Sequence, residues 1–183
     1  MMVLLPTTAA SAHELRPAII DVGVLDGASD QLIIDLTFSG EAFLANIDLS
    51  TLSDTDDSAN AGLYNALRAL PHQVLASRIE SSFATLAKTF IIMAAGRPLP
   101  VELATIDVAD EADPELARDT KLRLRSPLPG AGEAISIQWQ PAMGALLIRQ
   151  MGAGSNPEYS DYLPSGGTSQ AFTCLLYTSD AAD

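Results

Sequence analysis

The sequence predicts a mainly β fold, an immunoglobulin-like antiparallel β-sandwich with a two-helix insertion, α+β overall. About seven short segments show strand patterning at spacings of roughly 8 to 15 residues, and Gly- or Pro-bearing turns separate them, as in sandwich domains. Between the second and third segments the apolar period changes from two residues to helical spacing. These observations predict one domain in residues 13–151.

The first two strands are predicted to form a hairpin. Residues 18–24 are mostly apolar, a turn containing Gly27 follows, and residues 31–38 alternate between apolar and polar side chains. In this second segment Leu32 and Asp35 lie on opposite faces, which is the pattern of a half-buried strand. A short Gly-bearing connection between two such segments is typical of a β-hairpin.

The next segment is predicted to be a helical insertion at residues 58–88. Asp54 and its polar neighbours supply N-cap chemistry where a helix begins, and Pro71 suits the first turn of a second helix. An apolar stripe follows at helical spacing: Leu75, Ile79, Phe83, Leu86 and Phe90. Such a stripe must cover an apolar surface. A calcium loop beginning at Asp54 is excluded, because it would need Gly and Glu where Ala59 and Asn65 stand.

Strand patterning returns after the insertion. The predicted strands are residues 90–93, 99–106, 121–125, 134–139 and 145–150, with a turn at 96–98 and an acidic loop from 107 to 119. The segment 121–125 alternates leucines with cations, which predicts one face in the core and the other in solvent. Residues 152–173 are rich in Gly, Ser, Pro and Tyr without periodicity, so they are predicted to be a loop and then a linker.

Both ends of the chain carry sequence that is set aside from the fold. Residues 174–183 read as the translation of a sequencing-library adapter and are expected to be an artefact; the alternative is a natural C-terminal strand. They include the only cysteine, and removing their two aspartates changes the formal charge from −13 to −11. Residues 1–12 are expected to be a truncated signal peptide, because Ala10-Ser11-Ala12 fits signal-peptidase cleavage before His13. A disordered cytosolic N-terminus is the alternative.

The composition argues against several functions. A strongly acidic chain repels phosphate backbones, so nucleic-acid binding is disfavoured. Without cysteine in the natural segment, disulfides, thiolate zinc sites and thiol catalysis are excluded there. The sequence has no nucleophile elbow, phosphate loop or His-Glu-x-x-His motif, and its two histidines make a hydrolytic triad hard to assemble. We therefore expect no catalytic residues, no bound cofactor and no enzyme activity.

His13 is the candidate metal ligand. If cleavage follows Ala12, the free α-amine and the imidazole of His13 can together chelate Ni(II) or Cu(II). The alternative is that His13 and Glu14 are polar residues at a frayed terminus. His72, the other histidine, lies at a predicted helix start, and no sequence pattern places it near His13.

Three short motifs resemble the HupE/UreJ family of membrane proteins. They are Ala-His-Glu-Leu-Arg-Pro-Ala at 12–18, Leu-Ile-Arg-Gln-Met-Gly-Ala-Gly at 147–154 and Leu-Pro-Ser-Gly-Gly at 163–167. The resemblance implies an extracytoplasmic domain followed by several transmembrane helices. It also implies a role in nickel or cobalt movement, or in hydrogenase or urease maturation, with the family's metal motif in the membrane part rather than in these residues.

Two classes of function are therefore expected. The first is a periplasmic domain, anchored to the inner membrane in the full-length protein and accessory to nickel or cobalt transport or to hydrogenase or urease maturation. Its expected partners are the protein's own transmembrane domain and other envelope proteins. The alternative is a protein-interaction or structural β-sandwich of the envelope with no metal role. A secreted hydrolase is a third class, for which the sequence offers no catalytic constellation.

Overall fold

The structure is a computed structural model that describes residues 15–24, 31–111, 118–130, 132–151 and 157–173. The predicted signal peptide at 1–12, His13 and residues 174–183, which are expected to be an artefact, lie outside the described residues. The strands are β1 (Ala18–Val24), β2 (Gln31–Phe38), β3 (Phe90–Ala94), β4 (Arg97–Pro98), β5 (Glu102–Val108), β6 (Thr120–Pro127), β7 (Ala134–Trp139), β8 (Leu146–Met151), β9 (Pro157–Leu163), β10 (Gly167–Thr168) and β11 (Phe172–Thr173). The helices are α1 (Gly40–Leu44), α2 (Ala61–Arg68), α3 (His72–Ser81) and α4 (Phe83–Leu86).

Six strands form one sheet in the order β5-β6-β2-β1-β8-β9. The predicted hairpin is confirmed, because β1 and β2 are antiparallel, with Ile19 opposite Thr37 and Val24 opposite Leu32. On its other side β1 pairs with β8, and this pair is parallel, whereas the other named strand pairs are antiparallel. The first described strand therefore lies in the middle of its sheet.

The second sheet has the order β10-β7-β3-β4, and β11 also pairs with β7. Alternation sets which side chains enter the core: in β6, Leu122 and Leu124 are buried whereas Lys121, Arg123 and Arg125 are exposed, as predicted. Buried apolar residues from both sheets and from the helices form one hydrophobic cluster. The prediction of a mainly β sandwich with a helical insertion is confirmed.

The insertion between β2 and β3 begins earlier than predicted. α1 follows directly after β2, and the Ala42 N–H donates to the side chain of its N-cap residue Ser39 at 3.2 Å. The Asp54 carboxylate does act as a cap, but its Oδ1 accepts from the Asp56 N–H at 2.9 Å in a short 3-10 turn. α2 starts only at Ala61, because the extended backbone of Ser58 ends that turn.

The apolar stripe of the insertion is divided between the core and the surface. Leu75, Ile79 and Leu86 are fully buried, as a covering face requires. Phe83 is half-buried. Phe90 lies outside the helices and begins β3, which confirms the strand predicted at 90–93. None of the helices in the described ranges is long and apolar enough to cross a membrane.

The prediction of a loop and linker at residues 152–173 is wrong for its described part. β9 pairs with β8 at the edge of the six-stranded sheet, and β10 and β11 return the chain to β7 of the other sheet. Pro157 stands at the first residue of this edge strand, a position that tolerates proline. The motif at 163–167 is a turn between the sheets. A Cβ added to Gly166, whose φ is +74°, would lie 2.7 Å from the Pro141 Cα, so the turn requires glycine.

Side chains from β9 join the edge of one sheet to the other. The Tyr159 ring stacks on Phe172 with ring centroids 4.3 Å apart. Asp161 Oδ2 accepts from the Gln170 N–H at 2.9 Å and from the Tyr159 hydroxyl at 3.2 Å. Burial, followed by the negative charge and the hydrogen bond of Asp161, raises the pKa of Tyr159 to about 12.

We expect Tyr159 to make stability fall at alkaline pH. A tyrosine in an unfolded chain ionises at pH ~10, so between that pH and about pH 12 the unfolded state binds fewer protons than the folded state. The contribution of Tyr159 is therefore complete below pH ~10 and is lost as the pH rises through its folded pKa. Titration of tyrosinate absorbance should show a late ionisation that Tyr159→Phe removes. Burial raises the pKa of Tyr64 as well, so the variant Tyr64→Phe is titrated beside it, and the late ionisation assigned to Tyr159 should persist in that variant. An identical titration of Tyr159→Phe and the parent protein would contradict this expectation.

Candidate functional site

Four charged residues cross the outer face of the six-stranded sheet at one register level. Strand pairing sets Arg123 opposite Asp35, Asp35 opposite Asp21, and Asp21 opposite Arg149. Across β6, β2, β1 and β8 the charges therefore run positive, negative, negative, positive. We call these four residues the charged row.

Each arginine of the charged row holds its aspartate with two hydrogen bonds. Arg123 donates from Nε and Nη2 to the two oxygens of Asp35, both at 2.8 Å. Arg149 donates in the same way to Asp21, at 2.6 and 2.7 Å. The hydrogen bonds raise the pKa of both guanidinium groups above its ordinary value. Bidentate pairs of this kind fix the orientation of both side chains.

The order of charges in the row has a physical reason. Two carboxylates directly opposite each other on adjacent strands, as Asp21 and Asp35 are, repel and weaken a sheet. An arginine on each flanking strand neutralises its neighbouring aspartate and holds it in a fixed position. The two ion pairs are therefore interdependent, since removing either arginine would leave a carboxylate unpaired beside another one.

An apolar row lies next to the charged row on the same face. Ile19, Leu147 and Tyr162 are opposite one another across β1, β8 and β9. Ile19 and Leu147 stand two residues from Asp21 and Arg149 along their strands, so their side chains leave the sheet on the same side. Tyr162 is 54% exposed, which makes it one of the large apolar side chains that the described surface presents to solvent.

The charged row lies in a shallow cavity of about 480 Å³, whose lining includes Ile19, Thr37 and Lys121. Both oxygens of each aspartate of the row accept hydrogen bonds from a guanidinium. Each of these carboxylates is thereby neutralised by a guanidinium and fixed in its orientation. The arrangement is chemically suited to contact with another surface.

The predicted site residues do not lie at this face. His13 is outside the described residues. The Nδ1 of His72 lies 3.1 Å from Asp110 Oδ1, where α3 begins beside the loop after β5. No group of three or more His, Cys, Asp or Glu side chains suited to a metal ion occurs in the part of the chain that the structure describes.

A second polar cluster, which the sequence analysis missed, is buried beneath the insertion. Arg118 Nε donates to Glu41 Oε1 at 2.7 Å, and these side chains are only 5% and 2% exposed. The same guanidinium donates to the backbone oxygens of Leu70 at 2.9 Å and Leu67 at 3.2 Å. Arg118 thus ties the end of α2 and the start of α1 to the residues that lead into β6. Its role is structural, because the cluster is closed to solvent.

Comparison of the sequence with models of known protein families and with curated proteins gives no match. The charged row and the apolar row together form one mixed surface on a sheet face, and we call it the docking face.

Proposed function

We propose that this chain is a non-catalytic binding domain on the extracytoplasmic side of a HupE/UreJ-like membrane protein. In this proposal the domain contacts its partner through the docking face. The observation that carries the proposal is the juxtaposition of two bidentate Arg–Asp pairs with an apolar row that ends in the exposed Tyr162. The three motifs that resemble the family support the cellular location.

The docking face contains two residue types that are enriched at protein interfaces, tyrosine and arginine. Tyrosine and arginine are among the residue types enriched where binding energy is concentrated. Tyr162 lies opposite Leu147 on the next strand, and Arg149 lies two residues from Leu147 along β8. The ion pairs of the charged row also reduce the entropic cost of association. Arg149 and Arg123 are already held by two hydrogen bonds each, so less rotamer freedom is lost when a partner binds.

The proposed partner is the protein's own membrane domain rather than a second copy of this domain. The charged row reads the same from either end. Two copies stacked face to face about a twofold axis through its centre would place arginine on arginine and aspartate on aspartate. Juxtaposed like charges disfavour such a complex. A partner surface with a different charge order avoids this repulsion.

The experiment uses the full-length protein in cells, with p-benzoylphenylalanine in place of Tyr162. The first step is to sequence the gene beyond codon 173, where we expect it to encode several apolar stretches of about 20 residues. Illumination should then cross-link the domain to the membrane part of the same chain, so that the two stay joined after cleavage at a protease site placed between them. The matched control is the same substitution at Ile91, which is 37% exposed on the other sheet.

Several outcomes would contradict the proposal. A stop codon shortly after codon 173 would contradict the expected membrane domain. Equal cross-linking from positions 162 and 91, or no cross-link from position 162, would show that the domain does not contact its partner through the docking face. A cross-link from Tyr162 to a different envelope protein would overturn the choice of partner and favour the alternative, an interaction module without a metal role.

The metal role that the resemblance implies is tested separately at His13. A protein that begins at His13 should bind Ni(II) or Cu(II) more tightly than one with Gly-Ser added before it, because the addition moves the α-amine away from the imidazole. The acidic chain, with a formal charge of −13, concentrates cations near its surface and should help at low salt. His13→Ala should remove the difference between the two forms. Equal affinities in titration calorimetry would eliminate the terminal chelate.

A further inference from the structure

We draw no further inference here: the strongest candidate, the open groove of about 460 Å³ between α2 and α3 that is lined by Leu44, Leu63 and Leu67, carries nothing because no feature of the described residues shows what covers it.

Discussion

Replacing Glu41 by alanine should lower the free energy of unfolding by about 3–5 kcal/mol. The change leaves the guanidinium of Arg118 buried without its carboxylate, because the remaining partners are the backbone oxygens of Leu67 and Leu70. An unpaired buried charge is costly, since neither water nor a counter-ion reaches it. Urea denaturation of the parent protein and Glu41→Ala measures the difference.

Two further variants separate the ion pair from general packing. Combining Glu41→Ala with Arg118→Met removes both charges, so the double variant should be less destabilised than the sum of the two single changes. Arg16→Gln is the control, because it breaks an exposed ion pair: the side chain of Arg16 is 47% exposed and that of its partner Asp119 is 39% exposed. This change should lower the free energy of unfolding by no more than about 1 kcal/mol. Additive losses in the first comparison would contradict the role assigned to Glu41.

Gly40→Ala should destabilise the fold by about 1–3 kcal/mol, the usual cost of overpacking a core. An added Cβ would lie 2.5 Å from Thr120 Oγ1 and would also clash with Ile79 Cδ1. Helix propensity alone favours alanine over glycine. A net loss would therefore show that the close approach of α1 to α3 and β6 outweighs propensity at this position.

Gly62→Ala is the matched control for Gly40→Ala. Gly62 is also helical, but nothing lies within 4 Å of a Cβ built on it. This variant should gain about 0.5–1 kcal/mol from helix propensity alone. Adding Ile79→Val to Gly40→Ala removes the clashing methyl group and should recover part of the loss. Effects of the same sign at Gly40 and Gly62 would contradict the packing argument.

Elements with clean local patterning could be predicted from the sequence. β6 and β7 alternate apolar and polar residues, and both strands were placed with errors of at most two residues at each end. β9 was missed because its inward positions are Tyr159, Asp161 and Leu163, and the carboxylate among them interrupts the apolar alternation. Asp161 faces inward because it bonds to the backbone N–H of Gln170, a partner that local sequence does not reveal.

The docking face could not be predicted, because it depends on strand order. Asp21 and Arg149 are 128 residues apart in sequence and meet because β1 and β8 are parallel neighbours. Arg118 and Glu41 are 77 residues apart and meet only when the insertion folds onto β6. Each of these residues shows the pattern of an ordinary surface or loop charge. Which residues pair across a sheet depends on the strand order, and the periodicity of a single sequence does not reveal the strand order.

The central position of β1 has a consequence for the order in which the chain folds. The β1–β2 hairpin can form early, but one edge of β1 stays without a partner until β8 has been synthesised. An unpaired strand edge is a template for pairing with other chains, and pairing between strands distant in sequence is slow. We therefore expect the completed sheet to form late, after most of the domain has left the ribosome. Chaperones that cover exposed strand edges should therefore raise the yield of folded domain.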